Sequence, residues 1–151
     1  GKTTITAILS HIMSYSNLNY TAFIGGVSNY NNSNLIYNGD EIFIVEADEY
    51  DKTFLKLEPN IICINNIDGD HYDIYKDYDD LKNSFEQFSK KLKNQGILIS
   101  NDKLDFESIN YGFNPKSNFV ATGLYVYDNT VIKNVKMKEF KTAPNFFSIL
   151  L

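Results

Sequence analysis

Two runs of apolar residues, Ile42-Phe43-Ile44-Val45 and Ile61-Ile62-Cys63-Ile64, show no alternation with polar positions. Unbroken β-branched runs of this length predict strands buried on both faces of a parallel sheet, which have no solvent-facing side for polar residues to mark. Ile97-Leu98-Ile99-Ser100 repeats the pattern, and residues 20–24 form a shorter candidate strand ending in Gly25-Gly26, a pair that predicts a turn. Helical periodicity takes over in two places. Ile5, Ile8, Leu9 and Ile12 recur at helical spacing and predict a helix over residues 3–14, closed by Ser16-Asn17-Leu18-Asn19. Leu81, Phe85, Phe88 and Leu92 do the same for residues 77–92, with Lys90, Lys91 and Lys93 suited to the carbonyl end of the dipole and Gly96 as the C-terminal cap residue. The stretch 28–40, rich in Asn, Ser and Gly, predicts a loop. Beyond Ile109 the segments 110–113, 118–122, 124–127 and 131–137 are short and alternating, with Asp128-Asn129 as a turn. They predict antiparallel strands in a small subsheet attached to the main one. The expected class is therefore α/β with a mainly parallel sheet.

Length and charge narrow the function. A chain of 151 residues suits one domain, or a large part of one. A net charge of −5 and the absence of arginine argue against a protein that grips a nucleic-acid backbone. Cys63 stands alone, which excludes an internal disulfide framework and fits a reducing, cytoplasmic compartment. No apolar run approaches the ~20 residues of a membrane span, and no signal peptide is evident, so no membrane partner is expected.

The polar residues that follow the apolar runs carry the chemistry. In open α/β sheets ligands bind beyond the carboxyl ends of the strands. Glu46 follows the first run and His71, with Asp70 and Asp73 beside it, follows the second, so the two are expected to face one crevice. Alternation would turn Glu46 inward, where a carboxylate needs a hard cation or hydrogen-bonding partners. Asp48, Glu49 and Asp51 read as a solvated loop, His11 as a surface residue of the first helix and Cys63 as a small core residue. The acids around Gly69 mimic half of a calcium loop, but the glutamate that would complete an EF-hand is missing. Gly1-Lys2-Thr3-Thr4 reads as the tail of a phosphate-binding loop. The helix that starts there aims its N–H groups and positive dipole end at an anion; Lys2 would add a charge for β- and γ-phosphates, and Thr3 a hydroxyl for magnesium. The earlier glycine and spacer residues of the full loop do not precede Gly1. Together these features predict a magnesium-nucleotide site.

Four motifs in order, Gly1-Lys2-Thr3-Thr4, Phe23-Ile24-Gly25-Gly26-Val27, Glu46-Ala47-Asp48-Glu49-Tyr50-Asp51 and Asn66-Ile67-Asp68-Gly69-Asp70-His71-Tyr72-Asp73, resemble the central domain of the Mur ligases. The motifs cover roughly residues 1–102; the rest is similar only in its strand-rich pattern. The resemblance implies a sheet of the P-loop ATPase type. It also implies that residues 1–151 are a partial central ATP-binding domain that starts inside the phosphate loop. The parent would be a three-domain protein, with an N-terminal domain for the UDP-sugar and a C-terminal domain that brings the amino acid. Further implications are ATP and Mg2+ as cofactors, and UDP-N-acetylmuramate and L-alanine as substrates. ATP would phosphorylate the muramate carboxylate, and the alanine amine would attack the acyl phosphate to give an amide. By motif, Gly1, Lys2, Thr3 and Thr4 would hold the nucleotide, with Lys2 on the phosphates. Thr3 and Glu46 would bind the first magnesium, and His71 a second ion; Lys2, Glu46 and His71 form the implied catalytic set. Other Mur ligases carry a carbamylated lysine in the helix after the histidine, whereas Ser84-Phe85-Glu86 here lacks one, as in the alanine-adding branch. Near the C-terminus Pro144-Asn145-Phe146-Phe147-Ser148 replaces the family's Pro-Gly turn, and the piece alone is expected to be inactive. The rival readings are a murein tripeptide ligase, a folylpolyglutamate synthase and a non-catalytic nucleotide-binding remnant.

Overall fold

A computed structural model describes residues 1–28, 32–69, 73–121 and 148–150. In chain order these form helix α1 (Lys2–Met13), strands β1 (Tyr20–Ser28), β2 (Ser33–Asn38) and β3 (Ile42–Val45), a 3-10 segment (Tyr50–Lys56), strand β4 (Ile61–Ile64) and helix α2 (Tyr78–Ser89). Strands β5 (Ile97–Asn101), β6 (Ile109–Gly112), β7 (Phe119–Val120) and β8 (Ser148–Leu150) follow. The strands join in one sheet, ordered β2-β1-β3-β8-β4-β5-β6-β7, and every neighbouring pair is parallel except β1 with β2. The expected α/β class with a mainly parallel sheet is what forms. β8, from the far end of the chain, lies between the two apolar runs, with Phe43 opposite Ser148 and Ile61 opposite Ile149. Because β1, β3, β8 and β4 all run the same way, the residues after β3 and β4 emerge at one edge.

The core lies against the unbroken strands. Ile62, Ile64, Ile67, Leu81 and Phe88 are buried around Phe54 and Tyr75 on one side of β4, while Tyr20, Ala22, Ile42 and Ile44 form a second cluster with Leu9 and Met13 of α1. Phe54 packs on Phe85 and Phe88 with ring centroids 5.3 and 5.0 Å away, fastening the 3-10 segment to α2. Asp77 caps α2 by accepting from the Asp80 N–H at 2.9 Å.

Four local expectations differ from the fold. The stretch 28–40 contains β2, paired antiparallel with β1 through Thr21 opposite Tyr37 and Ala22 opposite Ile36. As an edge strand it is held by backbone pairing and buries little, so its side chains carry no apolar stripe to read. The segments 110–113 and 118–122 do contain strands, β6 and β7, but these pair parallel to β5 and to each other. Their alternation reflects partial burial toward a sheet edge and says nothing of direction; segments 124–127 and 131–137 lie outside the described residues. In α1 the buried positions are Thr6 and Ser10, while Ile5, Ile8 and Ile12 are 37%, 43% and 59% exposed. Small side chains let the helix approach β1 closely enough for the Tyr20 hydroxyl to donate to the Ser10 carbonyl at 3.0 Å. Finally, α2 ends at Ser89, before the anticipated cap. The left-handed position there is Gln95 (φ 66°), and Gly96 is needed because a Cβ would sit 2.8 Å from the Lys93 carbonyl oxygen and 2.9 Å from that of Asn60.

Candidate functional site

Glu46 emerges directly after β3, its N–H donating to the Phe23 carbonyl of β1 at 3.0 Å. Its carboxylate is doubly engaged. The Thr3 hydroxyl donates to Oε1 at 2.7 Å, and the Gly25 N–H donates to Oε2 at 2.6 Å. The inward-turned carboxylate that the alternation implied thus finds its hydrogen-bond partners, one from the start of α1 and one from β1. Gly25-Gly26 is not a turn: β1 runs through both residues. A Cβ on Gly25 would lie 2.7 Å from the Glu46 carboxylate, so any larger residue would displace the carboxylate from this position.

Lys2 points the other way along the edge and forms an ion pair with Glu49. Glu49 therefore belongs to the site and not to a solvated loop. Asp48 has a local task, accepting from the Tyr50 N–H at 3.0 Å, and Asp51 is exposed. What folds Glu49 back is a chain reversal at Asp51 and Lys52, which hold φ of 57° and 54°. Left-handed backbone at two successive non-glycine residues is costly and has to be held by tertiary contacts. The buried Tyr75 hydroxyl supplies one, donating to the Glu49 carbonyl at 2.5 Å. The Lys52 ammonium supplies another, 4.9 Å from the centroid of the Tyr75 ring and 3.2 Å from both Asp80 carboxylate oxygens. Burial first, and then the negative charge of Glu49, pushes the Tyr75 hydroxyl up to about 12, so it remains a proton donor at neutral pH. The hydrogen bonds from Lys52 and from the Lys76 N–H hold Asp80 below the usual carboxylate range.

A cleft of about 380 Å³ opens at this edge, its polar lining supplied by Lys2, Glu49, Asn65, Asn66 and Asp68. Its apolar floor is formed by Phe54, Leu81 and Phe85. Gly1 and Lys2 share this cleft, whereas Thr3 and Thr4 line a separate hollow of about 590 Å³ between α1 and the β1–β2 edge. Asn65 and Asn66, just past β4, mark where the second apolar run delivers its polar end; His71 lies outside the described residues, so its place beside Glu46 is not seen. Among the described residues no group of three or more His, Cys, Asp and Glu side chains could hold a metal ion. The Thr3 hydroxyl and the Glu46 carboxylate nevertheless form an adjacent pair of hard oxygen donors, the ligand type that suits Mg2+.

The structure brings Thr3 and Glu46 into contact and pairs Lys2 with Glu49, which the sequence pattern places in a solvated loop, while Tyr75, which supports Glu49, draws no reading from the sequence. Glu49 is hidden among neighbouring acids, and Tyr75 acts through contacts across the fold that no local pattern announces.

Comparison with known proteins places the chain in a family. The family model for the Mur ligase middle domain matches residues 1–149. A UDP-N-acetylmuramate--L-alanine ligase of Christiangramia forsetii is 42% identical over 146 residues, covering 90% of this chain and 32% of the relative. Proteins of the same name from Clostridium botulinum and Clostridium beijerinckii are 37% and 34% identical, each covering all of this chain and 34% of the relative. The chain thus spans about a third of the length of the curated relatives it matches. No helix among the described residues is long and apolar enough to cross a membrane. A family match along nearly the whole length, with relatives at 34–42% identity over nine-tenths or more of the chain, gives the conclusion: the chain belongs to the Mur ligase family.

Proposed function

We propose that residues 1–151 are the partial central ATP-binding domain of a cytoplasmic ligase that joins L-alanine to the carboxylate of UDP-N-acetylmuramate, a step of peptidoglycan precursor synthesis. The remaining domains of the same longer protein would bind the sugar nucleotide and deliver the amino acid. The observation that carries the reading is the meeting of the α1 start with Glu46: a helix N-terminus, the kind of group that suits a phosphate, and a carboxylate, the kind that suits a cation, share one sheet edge. The names of the relatives support the substrate pair.

In this reading Gly1, Lys2, Thr3 and Thr4 bind ATP, and Lys2 exchanges its partner Glu49 for the phosphates. Thr3 and Glu46 would hold Mg2+, and the Gly25 N–H holds the Glu46 carboxylate in place. By the family motif, His71 would hold a second ion. Bound magnesium would neutralise the charge that builds up as the phosphoryl group passes to the sugar carboxylate. Lys2 stabilises the same charge from the helix end, and the amine then displaces phosphate from the acyl phosphate.

Phosphate release by the full-length protein tests this, with ATP, Mg2+, UDP-N-acetylmuramate and L-alanine supplied and then omitted one at a time. Release that requires all four is expected, with Glu46→Ala lowering it on the order of 100-fold or more. Release with a tripeptide but not with alanine would replace this reading with the recycling ligase. No release from a folded protein would leave a non-catalytic remnant.

A further inference from the structure

Glu49 meets Lys2 across 47 positions of sequence, and its own neighbourhood does not dictate that direction. The chain turns back just after it, at Asp51 and Lys52, in left-handed backbone that non-glycine residues adopt only at a cost. Downstream the segment is fixed, because Phe54 is buried against Phe85 and Phe88 of α2. At the reversal itself the Glu49 carbonyl accepts twice. The Lys52 N–H closes the turn at 3.2 Å, and the hydroxyl of Tyr75, a side chain with no exposed surface, donates from outside it at 2.5 Å. The Lys52 ammonium lies 4.9 Å from the centroid of the same Tyr75 ring and 3.2 Å from both Asp80 oxygens. Asp80 is held in turn by the start of α2: its N–H donates to the Asp77 cap at 2.9 Å, and its Oδ2 accepts from the Lys76 N–H at 3.2 Å. A partly exposed ion pair stabilises little by itself, so what Asp80 gives Lys52 is a direction. None of Lys52, Tyr75 and Asp80 lines the cleft, whereas Glu49 and Lys2 both do. Their influence on Lys2 therefore has to pass through Glu49.

We propose that Tyr75 and Lys52 are positioning residues that present Glu49 to Lys2 and so hold the lysine at the cleft in the ligand-free protein. The inference rests on the ligase reading only for what later replaces Glu49, the phosphates of ATP. Without the Tyr75 hydroxyl the Glu49 carbonyl loses its outside donor, and without the Lys52 cation the left-handed pair loses its anchor on the ring and on Asp80. In either case the reversal relaxes toward ordinary backbone, and the Glu49 carboxylate moves off Lys2.

The test uses the ligand-free, full-length protein and a water-soluble carbodiimide, which joins an amine to a carboxylate where the two are in contact. Mass spectrometry reads the yield of the Lys2–Glu49 link, with the Lys82–Glu86 pair of α2, 4.0 Å apart, as internal reference. Wild type is expected to give the link and Glu49→Gln to abolish it. Tyr75→Phe and Lys52→Met are each expected to lower its yield about threefold or more, with the reference link unchanged. Lys52→Arg keeps a cation for the ring and for Asp80 and is expected to retain the wild-type yield. A wild-type protein that gives no link overturns the inference, as do yields within about 1.5-fold of wild type in both Tyr75→Phe and Lys52→Met. So does a loss that the reference link or Lys52→Arg shares, since it would report a general loosening of the fold. If Tyr75→Phe does not fold, the two Lys52 variants decide. Mg-ATP added to the wild type judges the ligase reading separately. A link that persists at saturating nucleotide fails the exchange of partners at Lys2, and the ligand-free yields still judge Tyr75 and Lys52.

Discussion

Glu46 and Glu49 lie three positions apart in a run of acids, yet they do different work. Glu46 was legible because it follows an unbroken apolar run, and the end of a buried strand is where a carboxylate must be accounted for. Glu49 was not, because an acid in a polar cluster has the same local pattern whether it faces water or a lysine from another element. Gly25 shows the same limit: a Gly-Gly pair reads as a turn, and only the position of the Glu46 carboxylate 2.7 Å from its would-be Cβ shows what the glycine is for. Gly25→Ala is therefore expected to push the carboxylate off Thr3, lowering turnover sharply with little change in melting temperature because the displaced group is the end of a flexible side chain; thermal melting and turnover of the full-length protein measure both. Glu49→Gln should act in the opposite sense on the nucleotide. With no carboxylate competing for Lys2, Mg-ATP is expected to bind about threefold more tightly by calorimetry, and unchanged or weaker binding would refute a partner exchange at Lys2.

At the scale of elements, the unbroken runs became β3 and β4 at the expected positions, and the helical periods became α1 and α2. Period identifies an element but not its phase: the isoleucines of α1 face outward because the sheet selects the small Thr6 and Ser10 for contact. β2 was invisible because an edge strand is defined by its neighbour's free backbone groups. The β6–β7 connection carries a pH dependence. Asp102 accepts from the Asn114 N–H at 2.8 Å and the Ser117 hydroxyl at 2.9 Å, and these bonds, the Asn114 one foremost, hold its carboxyl below the usual carboxylate range. A lowered folded-state value stabilises the protein above the ordinary carboxyl range, and that contribution disappears as pH falls through the folded value. Melting temperature should therefore decline on acidification below about pH 4, with Asp102→Asn removing part of the decline. An identical acid profile in the variant would show that Asp102 makes no contribution.

At the scale of the whole molecule, the sheet is continuous only because β8 lies between β3 and β4. A chain ending at Ala121 would leave the backbone groups of Ile44 and Ile62, both fully buried, without that neighbour on one side. Orphaned buried peptide groups cost ~1–3 kcal/mol each, so the truncated chain is expected to melt more than ~10 °C lower or without a cooperative transition, as circular dichroism would show. An unchanged melt would mean that the two halves are held by side-chain packing alone. By itself the sequence determined the class of the fold, the two central strands, the helices and the residues at the strand and helix ends, because these depend on local periodicity and on the cost of burying charge. Only the tertiary structure decided strand order, the direction of β6 and β7 and the recruitment of Glu49. Those features arise where elements distant in sequence meet, and a local pattern holds no record of which neighbour will fill the other side.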